Sequence, residues 1–251
     1  MIKVVVIGAG TAIPAKGRSP ASIYMHTGKE HILFDAGPGT LQRLHTIGVS
    51  LFDIDRIFLS HFHLDHCLDI ATLLFARRIP TCAQQKPLAI YGPRGLKTLH
   101  RRFNHALNGW MTPRGFRLTL RELKQERVQL PGYSIQTKFM NHYDTGALGY
   151  RLTSGKKTIA YSGDTDVCKA ITVLGHNADV LILECAMTDE CKVEGHLTPT
   201  LCGELAAAAN AKRLALTHFY PIFDGYDIRA RVRRHYRGPL TIAHDFTRLQ
   251  I

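Results

Sequence analysis

The segment Ser60–His66, which reads SHFHLDH, holds four side chains of the types that bind metal ions. An apolar run precedes the segment, so these side chains are expected at the carboxyl end of a strand. In an extended loop, alternate residues share a face, so His61 and His63 point the same way. Asp65 and His66 then open a helix and point elsewhere. One short loop is therefore expected to supply ligands to two adjacent metal ions.

The ligand types in this segment also indicate which metals it binds. Imidazole and carboxylate groups favour zinc, with manganese and iron as the alternatives. The chain contains 14 histidines, so a chance match has to be considered. A pattern of this kind arises by chance in about one in several hundred such chains, which makes a fortuitous histidine-rich loop an unlikely explanation.

Two metal ions need more ligands than one loop provides, and three further candidates lie just beyond apolar runs. His142 follows the first of these runs, Asp164 lies in the sequence SGDT, and His218 lies in LTHF. Each residue alone is weak evidence, because a lone histidine is more often a core or surface residue. Their shared position at the ends of successive predicted strands indicates one common site.

Apolar, β-branched runs alternate with segments of helical periodicity along the chain, which predicts mixed sheets covered by helices. We expect one domain over residues 1–251, with two pseudo-equivalent halves that meet near residues 109–131. Gly109–Gln129 is expected to be basic and irregular. Predicted strands are Ile2–Ile7, Ile32–Phe34, Arg56–Leu59, Leu88–Tyr91, Tyr133–Phe139, Leu148–Leu152, Thr158–Tyr161, Val180–Leu183, Arg213–Leu216 and Leu240–Ala243. Predicted helices are Thr40–Ile47, Leu68–Arg78, Gly95–Leu107, Asp166–Leu174, Pro199–Ala209 (with Thr198 as its N-cap) and Asp227–Tyr236.

The composition narrows the class of protein. The net charge of +12 favours polyanions or phosphorylated ligands. The chain has no apolar run long enough to span a membrane and no signal peptide, so we expect a cytoplasmic protein that does not bind membranes. None of the six cysteines forms a CxxC pair, which predicts reduced, mostly buried thiols. An arginine-rich helix either binds phosphates or is an ordinary solvated face; its arginines are Arg229, Arg231, Arg233, Arg234 and Arg237.

Several motifs resemble those of a known family. HFHLDH, the lone His142, GDT at Gly163–Thr165 and THF at Thr217–Phe219 are similar to motifs of the metallo-β-lactamase superfamily, and LFDAGPGT at Leu33–Thr40 is similar to its first motif. The opening GAGTAIP and GHLTP at Gly195–Pro199 are more similar to the ribonuclease Z-like branch. The resemblance covers essentially the whole chain. It implies an α/β fold, namely an αβ/βα sandwich of two mixed β-sheets flanked by helices.

The resemblance also implies a role for each residue of the site. Asp164 would bridge two Zn²⁺ ions, and Asp35 would orient a ligand histidine from behind. Asp65, besides binding a metal, would orient or deprotonate the attacking water. The first ion would be bound by His61, His63 and His142, and the second by Asp65, His66 and His218.

The implied chemistry is hydrolysis of a phosphodiester. Two adjacent metals share a water and lower its pKa, and the hydroxide attacks phosphorus. His196, in GHLTP, matches the histidine to which the ribonuclease Z-like branch assigns protonation of the leaving group. Glu184 ends a predicted strand and is a candidate to orient His196. The dinucleotide-like VVVIGAG at Val4–Gly10 lacks the later glycine or alanine that opens a helix, so no nucleotide cofactor is expected.

The sequence leaves several alternatives open. The substrate is either RNA, such as precursor tRNA, or a small cyclic nucleotide, and a homodimer is left open. Only 21 residues separate His142 from Asp164, and a predicted hairpin turning at Ser154–Lys157 uses most of them, so the tRNA-gripping arm of short-form ribonuclease Z has no room there. The second candidate is a thioester or lactone hydrolase resembling glyoxalase II. The third is a nucleic-acid-binding module with a decayed site.

Overall fold

The computed structural model describes residues 2–79, 86–223 and 225–251, so Cys82 lies outside the described residues. Within them, fourteen strands form two sheets of seven. The strands are β1 (Lys3–Gly8), β2 (Ser22–His26), β3 (His31–Phe34), β4 (Ile54–Phe58), β5 (Leu88–Gly92), β6 (Leu118–Glu122), β7 (Arg127–Leu130), β8 (Tyr133–Phe139), β9 (Leu148–Ser154), β10 (Lys157–Tyr161), β11 (Val180–Glu184), β12 (Leu214–Thr217), β13 (Leu240–Ile242) and β14 (Thr247–Leu249).

Both sheets are mixed and follow the same plan. The first has the order β14-β1-β2-β3-β4-β5-β6, with antiparallel pairing up to β3 and parallel pairing from β3 to β6. The second has the order β13-β12-β11-β10-β9-β8-β7, parallel from β10 to β13 and antiparallel from β7 to β10. The chain changes sheets between Glu122 and Arg127, and β14 returns to the first sheet beside β1.

Helices cover the outer face of each sheet. Leu44, Leu73 and Leu96 lie on helices that pack on the first sheet, and residues of three later helices pack on the second. The predicted αβ/βα sandwich is therefore confirmed. No helix among the described residues has the length and apolar character needed to cross a membrane. The helices are α1 (Thr40–Thr46), α2 (Leu64–Cys67), α3 (Asp69–Ala76), α4 (Leu96–Ala106), α5 (Lys169–Gly175), α6 (Pro199–Ala208) and α7 (Ile228–Arg233).

Besides the apolar contacts under the helices, a separate layer of apolar side chains fills the space between the two sheets. Along β1, Val4 and Val6 face this layer, while Val5 and Ile7 face the helices. This alternation explains why the strand is apolar at nearly every position, since both of its faces are buried. Aromatic rings dominate the middle of the layer, where Phe58 stacks on Tyr91 with ring centroids 4.7 Å apart.

All ten predicted strands and all six predicted helices are present, but the expectation of an irregular Gly109–Gln129 is wrong. That segment contains β6 and the start of β7. Every second residue of β6 is exposed, and its sequence LTLRE is too polar for an apolar-run criterion to detect. The strands β2 and β14 were also not predicted, whereas the helix expected to open at Asp65 and His66 is present as α2.

Two smaller expectations can be compared with the structure. The hairpin between β9 and β10 is confirmed, because Ser154 pairs with Lys157 in an antiparallel register. Helix α6 begins at Pro199 as predicted, but the Thr198 side chain makes no capping hydrogen bond. Asp189 replaces it, since its carboxylate accepts hydrogen bonds from the Thr200 backbone amide at 3.1 Å and the Thr200 hydroxyl at 2.6 Å.

The topology brings the ends of six strands to one edge of the sandwich. Strands β3 and β4 run in the same direction in the first sheet, as do β8, β10, β11 and β12 in the second. The two edges are joined directly, because the Leu148 amide of β9 donates to the Ser60 carbonyl just after β4 at 2.8 Å. Side chains that follow these strands therefore meet across the gap between the sheets.

Candidate metal centre

The seven residues expected to bind metal lie together at this edge of the sandwich. They form two adjoining groups, and the ligand-type atoms in each group lie within 4.8 Å of one another. Asp164 belongs to the first group and faces the second. The first group is His61, His63, His142 and Asp164, and the second is Asp65, His66 and His218.

The Asp164 carboxylate lies at the centre of the cluster. Its Oδ2 is 3.3 Å from Nε2 of His66 and 3.4 Å from Nε2 of His218. The same oxygen is 3.8 Å from Nε2 of His61 and 3.9 Å from Nε2 of His142. One oxygen therefore faces four imidazole nitrogens from both groups, mostly at separations longer than a hydrogen bond.

Hydrogen bonds behind the histidines set which ring nitrogen points inward. His66 donates from Nδ1 to Asp35 at 2.8 Å, and His142 donates from Nδ1 to the Gly195 carbonyl at 2.8 Å. The Ser60 hydroxyl donates to Asp35, so we assign Nδ1–H of His61 as the donor to Ser60 Oγ at 2.9 Å. With Nδ1 engaged in these bonds, Nε2 is the ring atom that each histidine directs at the centre, as a metal ligand requires.

Asp35 is fully buried and joins the two sheets. Its Oδ1 accepts from the Ser60 amide at 2.7 Å. Its Oδ2 accepts from the Ser60 hydroxyl at 2.8 Å, from His66 and from the Tyr161 hydroxyl at 2.7 Å. Tyr161 belongs to β10 of the second sheet, whereas Asp35, Ser60 and His66 belong to the first half of the chain. A single carboxylate thus fixes the HFHLDH loop against both sheets.

The electrostatics of the cluster suit bound cations. Burial lowers the pKa of His61 and of His142, which keeps both rings neutral and able to bind metal. Burial would also lower the pKa of His66, but the Asp164 and Asp35 carboxylates outweigh it and raise that pKa well above its usual range, so His66 gives up a proton when it binds a metal ion. Burial alone would raise the pKa of Asp164, but His218 and His66 lower it well below its usual range, so the carboxylate is ionised.

Unpaired atoms point to the same conclusion. Among residues 2–79, 86–223 and 225–251, the buried His61 Nε2, Asp164 Oδ1 and His218 Nδ1 have no hydrogen-bond partner. Nε2 of His66 also faces Nε2 of His218 at 3.1 Å. Buried polar atoms are rarely left unpaired, so these residues fit divalent metal ions held among them.

Strained backbone is concentrated at this site. Asp35, Tyr143 and His218 have φ of 59°, 46° and 61°, in the left-handed region that residues other than glycine rarely adopt. Gly163, just before Asp164, has the same conformation, and a Cβ there would lie 2.5 Å from that of Ser60. Such strain persists only where surrounding contacts impose it, and it is often found at functional sites.

His196 and Glu184 form a buried pair beside the cluster. Nδ1 of His196 lies 2.9 Å from Oε1 of Glu184. Glu184 also accepts from the backbone amides of Thr165, Ala186 and Leu197 at 2.9, 3.0 and 3.1 Å. Burial would lower the pKa of His196, but the hydrogen bond and charge of Glu184 outweigh it and raise that pKa. Glu184 therefore connects the strand that leads to Asp164 with the GHLTP segment.

Other residues that the sequence singled out lie elsewhere. Arg231 pairs with Glu190 at 2.7 Å, and Arg233 donates to the Gly238 carbonyl at 2.5 Å, so neither arginine points freely into solvent. The remaining arginines of this segment, Arg229, Arg234 and Arg237, are exposed. Five cysteines in the described part of the chain are free thiols, and three of them, Cys67, Cys185 and Cys202, are buried.

Sequence reasoning did not identify every residue that shapes the centre. Ser60 and Tyr161 contact Asp35, and the Gly195 carbonyl contacts His142. Tyr143 and Tyr220 place aromatic rings beside His196. Ser60 and Tyr143 do adjoin predicted ligands in the sequence, but their types alone do not indicate these contacts.

Known proteins resemble this chain along its whole length. A ribonuclease Z from Thermococcus onnurineus (strain NA1) is 27% identical in an alignment that covers 98% of this chain and 94% of that protein. The short form of human tRNase Z has 25% identity and a TM-score of 0.78, with 100% of this chain and 98% of that chain covered. A metallo-β-lactamase fold protein from Bacillus subtilis superposes with a TM-score of 0.85 at 24% identity, over 99% and 98% of the two chains.

The family assignment follows from the extent of the match. The model of the Beta-lactamase superfamily domain matches residues 30–219, which include the HFHLDH loop, Asp164 and His218. The fold, the order of the motifs and the clustering of their side chains agree with that match. This chain therefore belongs to the β-lactamase superfamily.

Proposed function

We propose that this chain is a phosphodiesterase that uses two metal ions. Zinc is the metal proposed for both sites, and manganese and iron are the alternatives. When bound, the ions lower the pKa of a water molecule and offset negative charge on the phosphate oxygens. The residues proposed to hold the first ion are His61, His63 and His142, and those for the second are Asp65, His66 and His218, with Asp164 between them.

The observation that carries the proposal is the buried pair of His196 and Glu184 beside the cluster. The Glu184 carboxylate holds Nδ1–H, which leaves Nε2–H free to protonate the oxygen that leaves phosphorus. An alkoxide is a poor leaving group, so such a proton donor lowers the barrier. We assign Asp65, whose Oδ2 lies 3.4 Å from Nε2 of His218, to orient or deprotonate the attacking water.

The second candidate is a thioester or lactone hydrolase resembling glyoxalase II, and the same pair argues against its thioester form. A thiol has a pKa of about 8.5, so a thiolate leaves without being protonated. A buried histidine held by a carboxylate would therefore not help the thiolate to leave. The third candidate, a nucleic-acid-binding module with a decayed site, is disfavoured because all seven metal-binding side chains are present and converge.

Substrate class and cellular setting extend this proposal. Two of the three named relatives are ribonuclease Z or tRNase Z proteins, and the net charge of +12 favours a polyanionic or phosphorylated substrate. RNA and cyclic nucleotides are therefore both proposed. Free cysteines are in keeping with a cytoplasmic protein. A homodimer stays a proposal.

Hydrolysis assays test the proposed function. Protein stripped of metal should be inactive, and added zinc or manganese should restore hydrolysis of bis-p-nitrophenyl phosphate. The kcat/KM for S-lactoylglutathione should be much lower, because the excess of basic residues favours phosphorylated substrates. The matched control is Asp164→Ala, which should recover no activity with either metal. Efficient thioester hydrolysis without diester hydrolysis would instead identify the glyoxalase II-like alternative.

Replacement of His196 tests the proton donor. His196→Ala should lower kcat about 10²–10⁴-fold on a diester with an alkoxide leaving group and leave the metal content unchanged. The loss should be much smaller with p-nitrophenolate, which leaves with little protonation. His45→Ala, which removes an exposed histidine on α1, is the control. Equal losses on both substrates would show that His196 does not protonate the leaving group.

The short connection between His142 and Asp164 generates a prediction about substrate size. The hairpin of β9 and β10 occupies this connection, which leaves no room for an inserted arm. At physiological salt, kcat/KM for cyclic AMP should therefore equal or exceed that for precursor tRNA, because a basic surface alone binds RNA weakly when salt screens it. Accurate 3′ cleavage of precursor tRNA with no activity on small diesters would contradict this expectation.

A further inference from the structure

Tyr143 combines exposure with a strained conformation. It follows His142 directly after β8, and 54% of its surface is exposed. Its φ of 46° lies in the left-handed region, which a bulky residue adopts only under constraint. An exposed aromatic residue held in this way indicates that the position of the ring is itself useful.

The Tyr143 ring packs closely against Gly195, where a side chain would crowd the ring. Its centroid lies 4.9 Å from that of His142 and 6.4 Å from that of His196. A Cβ on Gly195 would lie 3.0 Å from two ring carbons of Tyr143, which is closer than real Cβ atoms normally approach. Gly195 in the GHLTP segment therefore makes room for this ring while its carbonyl holds His142.

A second tyrosine ring, that of Tyr220, also lies beside His196. The Tyr220 centroid is 6.4 Å from that of His196 and 6.2 Å from that of His218. Both tyrosine rings meet His196 nearly edge-on, at interplanar angles of 80° for Tyr143 and 77° for Tyr220. Aromatic surface thus lies beside the proposed proton donor.

We propose that Tyr143 is a stacking platform for the base of the leaving nucleoside, an inference that rests on the proposed phosphodiesterase function. If His196 protonates the leaving oxygen, the nucleoside that carries this oxygen lies against the Tyr143 ring. Stacking on an aromatic ring accepts any base, because every base has a π face. Tyr143 would therefore select nucleotide substrates over other phosphodiesters without selecting a sequence.

Equilibrium binding tests this role apart from turnover. Calorimetry on the metal-loaded protein compares AMP with ribose 5-phosphate, which lacks the base. Wild-type protein should bind AMP more tightly, and Tyr143→Phe, which keeps the ring, should preserve that preference. Tyr143→Ala should reduce the affinity for AMP about 5- to 100-fold and leave the affinity for ribose 5-phosphate unchanged. The unchanged ribose 5-phosphate affinity also shows that the variant is folded and its centre intact.

The same variants distinguish the two nucleotide sources. Loss of kcat/KM in Tyr143→Ala on the dinucleotide ApA assigns the platform to RNA, and loss on cyclic AMP assigns it to cyclic nucleotides. Loss on neither, or an unchanged preference for AMP, would overturn the inference. Tyr143→Leu gives the same comparison if the alanine variant does not fold. Failure of wild-type protein to hydrolyse bis-p-nitrophenyl phosphate would instead refute the proposed function itself.

Discussion

The centre depends on the buried carboxylate of Asp35. An ionised group without contact to water is costly unless hydrogen bonds compensate it. Here the Ser60 amide and hydroxyl, the His66 ring and the Tyr161 hydroxyl all donate to Asp35. These donors come from both sheets, so the requirement to satisfy one charge fixes the relative position of the HFHLDH loop and β10. The left-handed backbone at Asp35 is in keeping with this constraint.

Asp164 creates a second demand that protein groups alone do not meet. Its buried carboxylate has one oxygen without a partner and another facing four imidazole nitrogens. Hydrogen bonds from Nδ1 of His66 and His142 leave their Nε2 atoms directed at the same space. Convergent lone pairs and carboxylates repel one another unless cations lie between them. The fold therefore holds these side chains close together, and bound metal ions would relieve the repulsion among them.

Much of this architecture could be predicted because its signals are local in sequence. The HFHLDH loop, His142, Asp164 and His218 each follow an apolar strand, and carboxyl ends of such strands meet at one edge. The contacts of Tyr161 with Asp35 and of Gly195 with Tyr143 could not be predicted. They join residues 126 and 52 positions apart, and nothing in those residue types specifies the contact. Strands β6, β7 and β14 were missed because they lie at sheet edges, where polar residues replace the apolar run. This reason does not apply to β2, which is buried in the middle of its sheet.

The central claim is that two metal ions occupy adjoining ligand groups that share Asp164. Anomalous diffraction at the zinc edge, on crystals of zinc-saturated protein, tests this claim most directly. The account predicts two peaks roughly 3.5–4 Å apart, a spacing typical of two-metal sites, one beside His61, His63 and His142 and the other beside Asp65, His66 and His218. A single peak, or peaks away from these side chains, would contradict it.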